Sequence, residues 1–309
     1  MIKKIKTASD EEWRELRRGY IGGSDAAAVV GLSPFTSPWS LWAEKTGAVP
    51  GFGGNLATEV GTYLEAFVAH KFEEETGKSV RRRNFSMIND QYPWAIANID
   101  REVVGEDAGL EIKTTSELSM KRFKNGEYPE QYYCQCVHYM AVTGKARWYL
   151  AVLIGNRDFR IFLIERDEEE IQALMDAEKA FWNGYVLTNT PPPADGTTAT
   201  TNAMAAMYSQ GDEAIQVDIT GLEEVLRNYQ ELTASIKQME EAKDECANTI
   251  KAALGEATEG ISSGYRVTWS NGTRKSLDSK KLAADHPELN LSAYYKVSNT
   301  RTFRVKEKE

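Results

Sequence analysis

Along residues 57–76 the apolar positions Val60, Leu64, Phe67, Val68 and Phe72 recur at helical spacing, which predicts a long amphipathic helix stopped by Gly77. Shorter helices precede it. Residues 9–18 carry Ser9 or Asp10 as N-cap and acids in the first turn, and end at Gly19. An Ala-rich helix is expected over 25–31, and Pro38 opens another over 38–46, closed by Gly47. The pattern then shortens to strand-like runs at 79–88, 94–99 and 110–114, with a turn at 105–109. A helix entered through Pro129 covers 129–143, strands follow at 146–153 and 159–164, and a helix with an acidic first turn covers 167–186. Together these elements predict an α/β (α+β) fold, a mixed, hairpin-linked sheet flanked by helices with acids at its edge.

At 189–213 the character changes. Three prolines, Pro191 to Pro193, followed by small polar residues read as a linker. The expected organisation is a domain over 1–190, a linker over 191–214 and a C-terminal extension over 215–309. In the extension, apolar residues from Leu222 to Leu254 form an interrupted, coiled-coil-like stripe on a helix over 219–254. Asn271-Gly272 predicts a hairpin between 261–270 and 273–277, and a last strand is expected at 301–306.

The 309-residue chain is 41% apolar, which suits a globular core. No run approaches the roughly 20 apolar residues that cross a bilayer. The start, MIKKIKTASDEEW, has lysines but no apolar run, so no leader is expected. Cys134, Cys136 and Cys246 make no disulfide framework or zinc spacing, and the first two are expected as small buried hydrophobes. This usage favours a reducing cytoplasm. A net charge of −9 argues against indiscriminate coating of nucleic acid, though local basic clusters stand out at Arg14, Arg17 and Arg18, at Arg81 to Arg83, and at Lys121, Arg122 and Lys124.

Candidate chemistry centres on Asp100 and Glu111-Ile112-Lys113. An acid, a short turn, then acid-x-Lys on an apolar strand is a metal-nuclease pattern. Two carboxylates on neighbouring strands offer hard oxygen ligands to Mg²⁺. Lys113, two residues after Glu111, shares its face and can polarise the attacking water or the phosphate. Surface hairpins also produce such residues, so the flanking segments matter. Glu65 is either a solvated helical glutamate or a third carboxylate. Gln131 and Gln135 are ordinary polar positions or amides serving the lysine, and Gln135, between two cysteines, is favoured. Arg17, Gly22, Gly23 and Ser24 suit a phosphate at a helix start, or are a surface arginine and a capping serine. Trp39 and Trp42 are expected in the core. His70, His138 and His286 lack metal-ligand spacing and receive no catalytic role.

Four blocks occur in order: IGGSDAAAVVGLSPFTSPWSLWAEKTG, GTYLEAFVAHKFEEETG, NIDREVVGEDAGLEIKTT and YYCQCVHYMAVTG. Over residues 14 to about 170 the chain resembles the YqaJ-type viral recombinase family, the phage lambda exonuclease type of the PD-(D/E)xK nuclease superfamily. The resemblance implies a PD-(D/E)xK core and a Mg²⁺-dependent 5′→3′ exonuclease of phage recombination that leaves 3′ single strands. It implies two Mg²⁺ ions, with Mn²⁺ an alternative, held by Asp100, Glu111, the Ile112 carbonyl and Glu65. Lys113 matches the catalytic lysine and Gln135 the glutamine near it. Arg17 and Ser24 match a 5′-phosphate pocket. Asn98 stands where a phosphate-contacting serine is common, and Ile99 where proline is common. The implied partners are duplex DNA ends, a phage single-strand annealing protein and two further copies in a homotrimeric ring; no membrane is expected. Residues after 195 lie beyond the minimal enzyme and are expected to pack on themselves, to contact DNA through Arg274, Lys275, Lys280, Lys281, Arg301 and Arg304, or to dock the annealing protein. A structure-specific or nicking endonuclease, or an inactive end-binding adaptor, are the competing readings.

Overall fold

In a computed structural model, which describes residues 1–296 and 301–306, the chain divides into two units, Met1–Ser209 and Gln210–Glu309. The first opens with strand β1 (Ile2–Ile5) and helix α1 (Asp10–Arg18). Ser9 caps α1 by accepting from the Glu12 amide, with three acids in the first turn. Strand β2 (Ile21–Gly22) leads into α2 (Gly23–Val29), and Ser37 and Pro38 start α3 (Pro38–Lys45). Helix α4 (Leu56–Thr76) ends on Gly77, whose φ of 68° is the left-handed conformation that glycine adopts without cost.

The following strands are β3 (Val80–Arg81), β4 (Ser86–Asn89), β5 (Ala95–Ile96), β6 (Arg101–Val103) and β7 (Ala108–Thr115). Helix α5 (Glu130–Thr143), strands β8 (Arg147–Ile154) and β9 (Asp158–Glu165), and helix α6 (Glu168–Phe181) complete the core. The expected strand 79–88 is two strands in different sheets, because β4 pairs with β1 while β3 pairs with β6. The main sheet has the order β3-β6-β7-β8-β9; β7 and β8 run parallel and the other pairs antiparallel. The acid-bearing strand β7 is therefore central, not at the edge. The crossover through α5 puts parallel β8 beside it, with a helix on that face.

Side-chain alternation divides the sheet's two faces. Leu110, Ile112, Tyr149 and Ala151 pack with Val68, Ala69 and Phe72 of α4. Trp148, Leu150 and Val152 face the other way, into the core holding Ile21, Trp39, Trp42 and Met140. Val68 and Phe72 are fully enclosed, each contributing roughly 2–3 kcal/mol of apolar burial. Val60 and Phe67, expected on the same inner face, are 43% and 54% exposed. They lie on a second stripe with Leu56 and Tyr63, and only the stripe through Val68 and Phe72 meets the sheet.

The stretch 191–214 is not uniformly a linker. It holds α7 (Thr198–Met207), which packs on α3, and the buried Thr200 hydroxyl sits 2.7 Å from that of Ser37. In the second unit, α8 (Glu223–Leu254) precedes a hairpin of β10 (Glu259–Ile261) and β11 (Arg266–Thr268), and α9 (Ser279–Asp285) follows. The hairpin turns around residues 262–265, where the Ser262 amide donates to the Tyr265 carbonyl, and not at Asn271-Gly272. Residues 301–306 form no strand. Among the described residues no helix is long and apolar enough to cross a membrane.

Candidate active site

The register of β6 on β7 pairs Arg101 with Leu110, so one residue further on Asp100 comes opposite Glu111. The Ile112 amide donates to Asp100 Oδ2 at 2.8 Å. Glu111 is 2% exposed, and its Oε1 lies 2.6 Å from Lys113 Nζ. From the facing helix α5, Gln135 ties the two together. Its Nε2 donates to Glu111 Oε1 at 2.7 Å and its Oε1 accepts from Lys113 Nζ at 2.9 Å. The same Nε2 also bonds the Tyr139 hydroxyl at 2.9 Å. Lys113 lies over the Tyr132 ring, 5.3 Å from its centre. Gln131, one turn earlier, takes no part in this net.

The electrostatics are unbalanced. Burial and the neighbouring Glu111 charge push the Asp100 carboxyl well above the ordinary range, against the pull of Lys113. Burial works to lower the Lys113 pKa, but Glu111 and Asp100 together hold it above the usual value. The lysine is therefore a cation at neutral pH. The buried Glu111 Oε2 has no hydrogen-bond partner among the described residues, a state that costs free energy unless a ligand completes it. A buried carboxylate with an orphaned oxygen and a half-buried one that borders a cavity, with only one ammonium between them, form a donor set that fits a hard divalent cation.

Glu65 is placed differently. Arg101, opposite Leu110, faces α4; its guanidinium is 8% exposed as a residue and donates to the Glu65 carboxylate and, at 2.7 Å, to the Asp100 carbonyl. Arg82 Nε lies 3.9 Å from the same Glu65 oxygen. Among the described residues no group of three or more His, Cys, Asp and Glu stands together as a metal cluster. Glu65 and Asp100 do border one cavity of about 590 Å³, with Trp13, Arg14, Arg82 and Arg83 on its walls.

Asn98 lies on that wall as well. Its Oδ1 accepts from Trp13 Nε1 at 3.3 Å and from Ser86 Oγ at 2.5 Å, which fixes the amide and leaves its Nδ2 to donate elsewhere. Arg17 and Ser24 bond each other but do not line this cavity. They belong to a net around Asp25 that the sequence did not disclose. Asp25 Oδ2 accepts from the Gly22 amide at 2.9 Å and from Lys45 Nζ at 2.7 Å, and Arg17 Nη2 is 3.2 Å from Oδ1. Burial favours the neutral acid, yet Lys45 and Arg17 pull the Asp25 carboxyl well below the ordinary range. The signal available was Gly22-x-x-Asp25, an acid three residues into a helix start. The double glycine has a packing cause. A Cβ on Gly23 would lie 2.5 Å from the Tyr139 ring, so Gly23 lets α2 close on α5.

His138 is also more than an unassigned histidine. It and Glu178 are fully buried, paired at 2.8 Å, and the other ring nitrogen lies 3.0 Å from the Ile96 carbonyl. Burial lowers its pKa, but Glu178 outweighs that and the net shift is upward. The pair holds β5, which runs toward Asn98 and Asp100, against α5, which carries Gln135.

Residues 12–146 match the YqaJ-like viral recombinase domain. The whole chain is 35% identical over 311 aligned positions to protein YqaJ of Bacillus subtilis (strain 168), covering 99% of this chain and 97% of that one, and it belongs to this family. Two solved structures are similar over part of it. An alkaline exonuclease (LHK-Exo) from Laribacter hongkongensis superposes with a TM-score of 0.48 at 21% identity, covering 58% of this chain and 93% of that one. A phage related exonuclease from Haemophilus somnus 129PT gives 0.43 at 12% identity, covering 58% and 100%.

Proposed function

We propose that this chain is a divalent-metal-dependent deoxyribonuclease that digests linear duplex DNA 5′→3′ and leaves 3′ single strands. The observation that carries the reading is the Asp100–Glu111 pair, with its buried, unpartnered Glu111 oxygen, beside the Lys113 ammonium, and with Asp100 on the wall of the arginine-lined cavity. Asp100, Glu111 and the Ile112 carbonyl would hold the metal, with Glu65 joining once released from Arg101. Mg²⁺ bound there supplies Lewis-acid polarisation of the phosphate and a more acidic water; Mn²⁺ shares the same ligand preferences.

The remaining chemistry falls to this chain's own side chains. Arg14, Arg82 and Arg83 neutralise phosphates of the entering strand. Asn98, its oxygen already occupied, donates its amide N–H to a phosphate oxygen. Lys113, held beside Glu111 and Gln135, acts as an electrostatic and hydrogen-bonding partner of the attacking water or the scissile phosphate. Gln135 keeps that ammonium aimed. Arg17 and Ser24, braced by Asp25, are the candidate 5′-phosphate contacts. Polarity, the ring of three copies, the bacterial cytoplasm as site of action and the hand-over to an annealing protein are supported by the four sequence blocks and by family membership.

The test is a time course on linear plasmid, with and without terminal 5′-phosphate, beside a supercoiled control. Mg²⁺-dependent loss of linear duplex is expected, with closed circles untouched and activity removed by Asp100→Ala. Lys113→Ala should lower kcat by about 10²–10³-fold. Undiminished digestion by Lys113→Ala, or cutting of closed circles, would refute the exonuclease.

A further inference from the structure

Helix α8 buries none of its 32 residues, yet its apolar positions keep an alternating three- and four-residue step. Leu222, Val225, Tyr229, Leu232, Ile236 and Met239 follow one another in this step, and after Lys243 it resumes at Cys246 and Ile250. Leu232, Ile236 and Met239 are 64%, 57% and 71% exposed. These residues form one seam about 42 Å long at 1.5 Å per residue. Within the second unit, Phe303 touches it at Tyr229, with ring centres 5.6 Å apart. An exposed apolar stripe of this extent marks an interface.

We infer that α8 pairs with α8 of a second copy of this chain as a two-stranded coiled coil. Three observations select this occupant. The seam is self-complementary in kind, with β-branched Ile236 and Ile250 alternating with Leu232 and Met239, and the single polar Lys243 in it favours two strands. Between Tyr229 and Ile250 its flanks carry Ser235, Ala242 and Thr249 on one side and Thr233, Glu240 and Ala247 on the other, so Glu240 is the one charge among them and the small side chains let the backbones approach. The area is sufficient: the seven large apolar side chains of the seam, leaving out Cys246, give up on the order of 100 Å² each, and in two copies remove roughly 1,400 Å², within the roughly 1,200–2,000 Å² of stable interfaces. The pairing stands independently of the nuclease reading.

The test uses the full chain. Sedimentation of the native protein and of Leu232→Asp/Ile236→Asp should differ twofold in mass, with the melting of the first unit unchanged. Because α8 has no buried residue, the substitutions leave the monomer's packing intact. Cys134 and Cys136 are buried and Cys246 is exposed, so a short bis-maleimide reads the orientation without engineering. Cross-linked dimer from the native chain assigns a parallel pair. Cross-linking only in Tyr229→Cys assigns an antiparallel one, which sets 229 against 246. An unchanged mass, as when the seam folds onto its own chain, a threefold drop, or no cross-link in either protein overturns the inference.

Discussion

Replacing Lys45 by methionine removes one cation from the buried net behind Arg17. The Lys45 side chain is 1% exposed, and its ammonium bonds Asp25 at 2.7 Å and the Arg17 carbonyl at 3.1 Å. Methionine matches its volume but leaves the Asp25 carboxylate short of a partner. Deleting one member of a buried ion pair costs about 3–5 kcal/mol. Here Arg17 and the Gly22 amide remain on Asp25, so the expected loss is near the lower figure, about 3 kcal/mol. For a unit of this size that lowers Tm by about 6–12 °C, measured by circular dichroism and by urea titration. The double variant Lys45→Met/Asp25→Asn should recover most of it, giving a coupling energy of about 2 kcal/mol. The sign with pH follows from the depressed Asp25 carboxyl, whose contribution is full above an unfolded pKa of about 4 and is lost as pH falls through the lower folded value. The deficit of Lys45→Met should therefore narrow below about pH 4, where a protonated Asp25 needs no cation. A Lys45→Met protein within about 1 kcal/mol of native at pH 7 would refute the assignment of Lys45 as the counter-ion that holds Asp25.

Three further outcomes are expected. His138→Leu strands the Glu178 carboxylate in the core and should cost about 3 kcal/mol, largely recovered in His138→Leu/Glu178→Leu. Since the folded His138 pKa is raised, its contribution is complete below the unfolded value near 6.5 and fades as pH climbs through the folded value, so melts between pH 6 and 9 should show an alkaline decline that the double variant lacks. Gly109→Ala places a Cβ 2.3 Å from the buried Trp148 ring and should destabilise by at least about 2 kcal/mol in the same melts. In mass spectrometry after iodoacetamide treatment, Cys134 and Cys136 should both stay unalkylated in native protein at pH 8, because burial pushes the Cys134 thiol up to about 11 and that of enclosed Cys136 up as well.

Residues whose chemistry is local were legible in the sequence. Ser9, Pro38 and Gly77 mark helix ends because capping needs only neighbours along the chain. The spacing of Glu111 and Lys113 put both on one side of a strand, and alternation guarantees this whatever the strand packs against. The position of β7 within the sheet was not legible, because strand order depends on which distant segments pair. On α4 two apolar stripes compete, one through Phe67 and one through Phe72, and helical periodicity is blind to which of them meets the sheet. Asp25, Lys45, Arg101 and the His138–Glu178 pair escaped for the same reason: each acquires meaning only from a partner far along the chain or across the fold. Asn271-Gly272 carried the right turn chemistry, yet the β10–β11 ladder formed around a neighbouring turn.

Helix α5 presents Gln135, His138 and Tyr139 on a single inward face within about one turn: Gln135 bonds Glu111 and Lys113 of β7, His138 bonds Glu178 of α6 and the Ile96 carbonyl of β5, and Tyr139 braces Gln135 from the same helix. Sliding or fraying that helix would release all of these anchors at once. The net that ties Glu111 to Lys113 therefore exists only while α5 is seated against the sheet, which couples the geometry of the acidic pocket to the packing of one helix.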